Sequence, residues 1–167
     1  MKTWHHLVRL AALLLLLAAA GSANAACSVL CVCTVTTTNV NFGNHNPLSA
    51  SNNDSVGNVQ VKCGGVAGLG IPFRVDIAKG SGPSYANRRM YRGALSIAYN
   101  VYTDINRSIV WGDGTSSTGY GSGNIPLDVL GLSPPVDFPI YGRIPGSQTT
   151  AVPGAYSDSI AVTVTYY

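Results

Sequence analysis

After its first quarter, the chain places apolar residues at every second position, over and over. Ile160, Val162, Val164 and Tyr166 alternate with Ala161, Thr163 and Thr165. Val59, Val61 and Cys63 share one face while Gln60 and Lys62 take the other. The same beat runs through Ile71, Phe73, Val75 and Ile77, through Leu95, Ile97, Tyr99 and Val101, and through Val136, Phe138 and Ile140. Side chains leave a β-strand on alternate faces, so this spacing sets an apolar face on a core and a polar face in water. Pro139 marks an edge or a bulge, because proline donates no ladder hydrogen bond. Turn residues separate these runs: the Asn- and Ser-rich stretch Asn44–Asn53, Gly64-Gly65, Lys79–Pro83, Gly112-Asp113-Gly114, the Gly119–Asn124 loop, Pro145-Gly146 and Pro153-Gly154. No amphipathic helix of useful length appears, and seven or eight short strands at this spacing predict an all-β sandwich.

The N-terminal 25 residues follow different rules. Lys2 and Arg9 precede an apolar run from Leu10 to Ala20, and Ala23-Asn24-Ala25 supplies the small-x-small pattern of a signal-peptidase site. Eleven or so apolar residues are too few for the roughly 20 that a membrane-spanning helix needs. The expectation is a secretory signal over 1–25, removed to leave one domain over 26–167 and no membrane insertion; acylation of Cys27 is the competing reading. Without Lys2 and Arg9, eight basic side chains face seven acids, a balance of +1. That is no electrostatic footprint for nucleic acid or anionic lipid.

Four cysteines remain after cleavage: Cys27, Cys31, Cys33 and Cys63. In an oxidising compartment an even count reads as disulfides, with three connectivities open. Zinc is disfavoured because the cluster lacks the usual C-x2-C knuckle. Cys31 and Cys33 share a strand face about 6.6 Å apart, pointing the same way, which does not suit a mutual bridge.

The search for reactive chemistry finds little. Once the signal is removed, His45 is the one imidazole; it sits in NFGNHNP with no nucleophile elbow nearby, and reads as a solvated turn residue. All seven acids are Asp and they are scattered singly, so paired-carboxylate catalysis has no platform. Asp113 between two glycines suits a tight turn better than a cation. Neither a catalytic residue nor a cofactor or metal site is expected. Arg88, Arg89 and Arg92 form a small basic cluster, taken here as a candidate ligand loop for an anion or a carbohydrate, or else as a sheet-edge loop whose arginines pack on aromatics.

Several segments, taken in order, resemble the spore coat protein U domain family, whose members include pilin subunits of archaic chaperone–usher pili. They are Cys33-Thr34-Val35, Asn41-Phe42-Gly43, Asn46-Pro47-Leu48, the run Gly57 to Cys63, Arg88-Arg89-Met90, Tyr99 to Asp104, Val110 to Thr115, Tyr141 to Pro145 with Gln148, Gly154 to Asp158, and Val162 to Tyr166. Each piece alone is weak; their joint order is specific. The resemblance implies an incomplete immunoglobulin-like β-sandwich of about seven strands whose missing strand leaves a groove. A periplasmic chaperone fills that groove first and a neighbouring pilus subunit fills it later, at an outer-membrane usher. It also implies a Cys33–Cys63 disulfide, which leaves Cys27 and Cys31 as a second pair, and it gives Ile160, Val162, Val164 and Tyr166 the chaperone and donor-strand interface. The expected function is then a non-enzymatic subunit of a secreted surface fibre that supports adhesion and biofilm formation. A coat or matrix protein of the same fold and a carbohydrate-binding sandwich are the alternatives. Seven residues, Ala26 to Val32, precede Cys33 after cleavage and span about 23 Å. The expectation is a subunit that accepts a strand better than it donates one.

Overall fold

The computed structural model describes residues 32–64, 71–125 and 132–167; the segment expected to be a signal, Cys27 and Cys31 lie outside them. The described residues form eight strands in two antiparallel sheets: β1 Val32–Thr38, β2 Asn53–Gly64, β3 Ile71–Ile77, β4 Arg88–Arg92, β5 Leu95–Tyr102, β6 Gly121–Ile125, β7 Val136–Ile144 and β8 Val162–Tyr166. The first sheet runs β1-β2-β7-β5-β4 and the second β6-β3-β8. No described helix is long and apolar enough to cross a membrane.

The alternating faces meet between the sheets. Val59 and Val61 of β2, Val75 and Ile77 of β3, Val101 of β5 and Ile144 of β7 are at most 2% exposed. Trp111, in the loop after β5, is driven into this core and donates its indole N–H to the Val75 carbonyl at 3.0 Å, so the one polar atom of the ring is satisfied. Phe138 meets Phe73 edge to face at 5.9 Å and tilts against Trp111 at 6.4 Å.

Two strands differ from the sequence expectation. The glycine-rich loop 119–124 forms most of β6, which pairs with β3. A Cβ on Gly121 would stand 2.9 Å from the Phe138 ring, and one on Gly123 would stand 2.6 Å from the Phe73 ring. Glycine is there because the aromatics occupy the space a side chain would need. The second correction concerns the basic cluster. Arg88, Arg89 and Arg92 lie on strand β4, paired with β5, and not on a ligand loop. Arg88 points inward and is 0% exposed. Its guanidinium donates to the carbonyls of Ala78 at 2.9 Å and Trp111 at 2.7 Å and to Asn100 Oδ1 at 2.8 Å. Arg89 donates to Ser96 Oγ and Arg92 to the Pro153 carbonyl. Arg88 is thus spent on the fold itself and does not reach the surface, while Arg89 is half-buried and Arg92 exposed.

Cys33 and Cys63 stand directly opposite each other across β1 and β2 and are bridged, 30 residues apart in sequence. Closing a loop of that length stabilises the fold by about 3.7 kcal/mol through the unfolded chain. Cys33→Ser with Cys63→Ser therefore lowers stability by about that amount; a urea midpoint equal to that of the oxidised wild type would refute it.

Candidate acceptor groove

The two sheets do not close along one side. β1 is an edge of the large sheet and β8 an edge of the small one, each with one strand neighbour among the described residues. The consequence shows in residues that share a face and a register. Val35 pairs with Val61 and is 40% exposed, while Val61 is 1% exposed. Thr37 pairs with Val59 and is exposed, while Val59 is 0% exposed. Across the gap Val164 is half-buried opposite Val75, and Val162 is half-buried opposite Ile77. Both walls aim core-type positions into a space that nothing in the described chain fills.

That space is an elongated groove. One cavity, about 450 Å³, has Thr37 to Val40 on one wall and Ser157 to Val162 on the other, with Ile77, Tyr99, Val101 and Ile140 as its floor. A second cavity, about 810 Å³, continues it under residues 151–156 towards Ile144 and His45. Asn39, Val40, Phe42, Met90 and Tyr156 line both. The segment 39–44 after β1 belongs to no strand and crosses the inner side of the large sheet. It can do so because Gly57 and Gly142 have no side chains: a Cβ on Gly142 would meet Val40 and Phe42, and one on Gly57 would meet Thr38 and Val40.

The mouth is held by hydrogen bonds. Ser157 exchanges two backbone bonds with Tyr91 of β4, at 2.8 and 3.1 Å, while the Ala161 carbonyl accepts from Ala78 N at the end of β3. Between these contacts the chain passes from one sheet to the other. Asp158 fixes the crossing: Oδ2 accepts the Tyr99 hydroxyl at 2.6 Å, and Oδ1 accepts the amides of Ser81 and Ser159. Burial, reinforced by the neighbouring Asp158 carboxylate, pushes the Tyr99 phenol well above its ordinary range, so it stays a donor. No lysine or arginine lines either cavity. No cluster of three or more His, Cys, Asp or Glu side chains that could hold a metal exists among the described residues.

Of the four interface residues expected from sequence, Ile160 and Val162 line the groove, and Val164 packs on the core as part of the same wall. Tyr166 pairs with Phe73 further along the strand and is 40% exposed. Ile160 packs on the core just ahead of β8. The opposite wall, from Thr37 to Phe42, went unnoticed in the sequence. Its residues read TTNVNF, where only Val40 and Phe42 show an alternating signal, and that signal runs across a strand end.

An eight-strand all-β sandwich of the immunoglobulin-like class, open along one side, is what these elements define. The chain belongs to the Spore Coat Protein U domain family, whose model matches residues 19–163. It is 31% identical over 136 residues to Protein U of Myxococcus xanthus, an alignment spanning 76% of this chain and 71% of that protein. Among solved structures it is similar to the CsuC–CsuE chaperone–tip adhesion subunit pre-assembly complex from the archaic chaperone–usher Csu pili of Acinetobacter baumannii. That likeness has a TM-score of 0.53 at 20% identity, covers 81% of this chain, and spans 40% of the length of the matched chain. At that identity it shows the fold.

Proposed function

We propose that the chain is a non-enzymatic structural subunit of a secreted surface fibre, a chaperone–usher pilus, assembled by donor-strand complementation and supporting adhesion and biofilm formation. In this reading residues 1–25 are removed on export and 26–167 form the subunit. Its partners are a periplasmic chaperone, an outer-membrane usher and other pilus subunits, and its destination is the cell surface by way of the periplasm. One observation supports it above the rest. Val35 and Thr37 are exposed while their register partners Val61 and Val59 are buried, and β8 faces them with half-buried valines. An extended strand laid between β1 and β8 would pair with open backbone and cover those side chains together. The occupant is taken to be a chaperone strand because the similar solved structure is itself a chaperone–subunit complex.

Co-expression with a chaperone encoded in the same genome tests this. A one-to-one complex is expected, lost on Val162→Asp because a carboxylate in the filled groove has no partner. A stable, monodisperse protein that ignores every such chaperone, with normal secretion in their absence, would defeat the reading. That outcome would favour a coat or matrix role, the second reading suggested by the family's description and by the relative from Myxococcus xanthus.

A further inference from the structure

A row of side chains crosses the outer face of the large sheet, away from the groove. Val56 of β2, Tyr141 of β7 and Tyr102 of β5 stand side by side in register. The adjacent positions Gly57 and Gly142 point the other way, under Val40 and Phe42, so the row looks out of the molecule. The next row sets Asp54 beside Arg143. Arg143 grips that carboxylate through Nε and Nη2, at 2.7 and 2.8 Å. Arg107, from the loop after β5, reaches the same carboxylate through Nη1 at 3.2 Å, and its guanidinium lies 5.9 Å from the centre of the Tyr141 ring. Two cations thus share one anion. The hydrogen bond from Arg143, helped by the charge of Arg107, outweighs desolvation and holds the Asp54 carboxyl below its ordinary range. Asp54 is therefore ionised and balances one of the two positive charges.

The second charge has no carboxylate of its own among the described residues. Arg107 gives its other bonds to the carbonyls of Gly142 and Ile105. Arg143 Nη1 and Arg107 Nη2 donate to no group among the described residues, and neither atom is buried. Asp104, in the loop that carries Arg107, accepts the amides of Ser108 and Ile109. Asp137, further along β7, accepts the side-chain amides of Asn58 and Gln60. Beside the cations Val56 is 54% exposed, an apolar surface in a polar frame. We propose that this face binds an acidic sugar, the uronate unit of a polysaccharide. Its carboxylate takes the free N–H groups of Arg143 and Arg107, and its ring lies across Val56 beside Tyr141. The charges are complementary, and the planar guanidinium fork matches a carboxylate in two parallel hydrogen bonds. A sugar fits better than an acidic peptide strand, because β7 lies between β2 and β5 and offers side chains but no open backbone. The face is turned away from the groove, so the proposal holds whether or not a strand is bound there.

Isothermal titration calorimetry of the folded, oxidised protein with a galacturonic acid tetramer tests this. Binding is expected, and methyl esterification of the sugar carboxyls should weaken it about tenfold. Arg107→Gln and Arg143→Gln should each weaken it by about the same factor, with a thermal melt to show that the variants are folded. Added salt should weaken binding of the acid and leave the ester unaffected. The acid–ester comparison needs the wild type alone, so it decides the matter even where a variant unfolds. Equal binding of acid and ester, or no binding of the acid by the wild type, overturns the proposal. A tetra-aspartate peptide that binds as tightly as the galacturonate also overturns it, and makes the face a site for acidic peptides. None of these outcomes bears on the acceptor groove.

Discussion

Deleting Ile160 to Tyr167 is expected to leave no cooperatively folded protein and, on the strand-acceptor reading, nothing for a chaperone to capture. Among the described strands β8 is one of two neighbours of β3, pairing with it from Phe73↔Tyr166 to Ile77↔Val162. Without β8, the side chains of Phe73, Val75 and Ile77, now 2%, 0% and 2% exposed, lose the cover that Ile160, Val162 and Val164 supply. Stripping a buried apolar side chain costs about 1.5–3 kcal/mol. Three such residues on β3 alone approach the roughly 5–15 kcal/mol that holds a domain together. Soluble yield and a thermal melt of the truncated chain report the outcome. A truncated chain present at wild-type level with a cooperative melting transition would contradict it.

Arg88→Ala lowers stability by about 3–5 kcal/mol, a large effect for one residue. Arg88 is fully buried, and no carboxylate lies among its hydrogen-bond partners. The cation is held by backbone carbonyl oxygens of Ala78 and Trp111, by Asn100 Oδ1, and by the Tyr85 ring 5.3 Å from its centroid. Burial draws its proton affinity down from the usual guanidinium value, and the residue stays charged because that value starts so high. Truncation leaves a void and strands those carbonyls in the interior. Asn100 is less affected, because its Oδ1 also accepts from Val101 N and its amide donates to Tyr85 O. Arg88→Lys should recover part of the loss, since an ammonium reaches some but not all of these acceptors. Urea unfolding of the three proteins decides the matter: an alanine variant within about 1 kcal/mol of wild type would show that the network adds little.

The same arginine explains much of what the sequence concealed. The strands β2, β3, β5, β7 and β8 announce themselves because valine, isoleucine and aromatic residues mark the inner face at every second position. In β4 the inner face reads Arg88 and Met90, so a cation stands where the pattern calls for a hydrocarbon, and the run RRMYR looks like a solvent loop. In β6 the inner positions are glycines that yield their volume to Phe73 and Phe138. Such a strand cannot be seen without knowing which rings lie opposite. β8 begins at Val162 and not at Ile160 because the chain is still crossing between sheets at Asp158, tied there by contacts to Tyr99 and Ser81 far away in sequence. For the groove, one wall was legible as the regular C-terminal strand. The other wall, its floor and the place of His45 beside it depend on how distant segments come together, which spacing alone does not encode.

The bridge between Cys33 and Cys63 bears on timing as much as on strength. β1 reads Thr34-Val35-Thr36-Thr37-Thr38 beyond its cysteine, with threonine on both faces. A strand with so little difference between its sides can slip by one residue against β2 at small energetic penalty, and each slip turns every side chain over. The sulfur link removes that freedom by fixing position 33 against position 63. Thiol oxidation is thus the step that decides which atoms of β1 a newcomer meets.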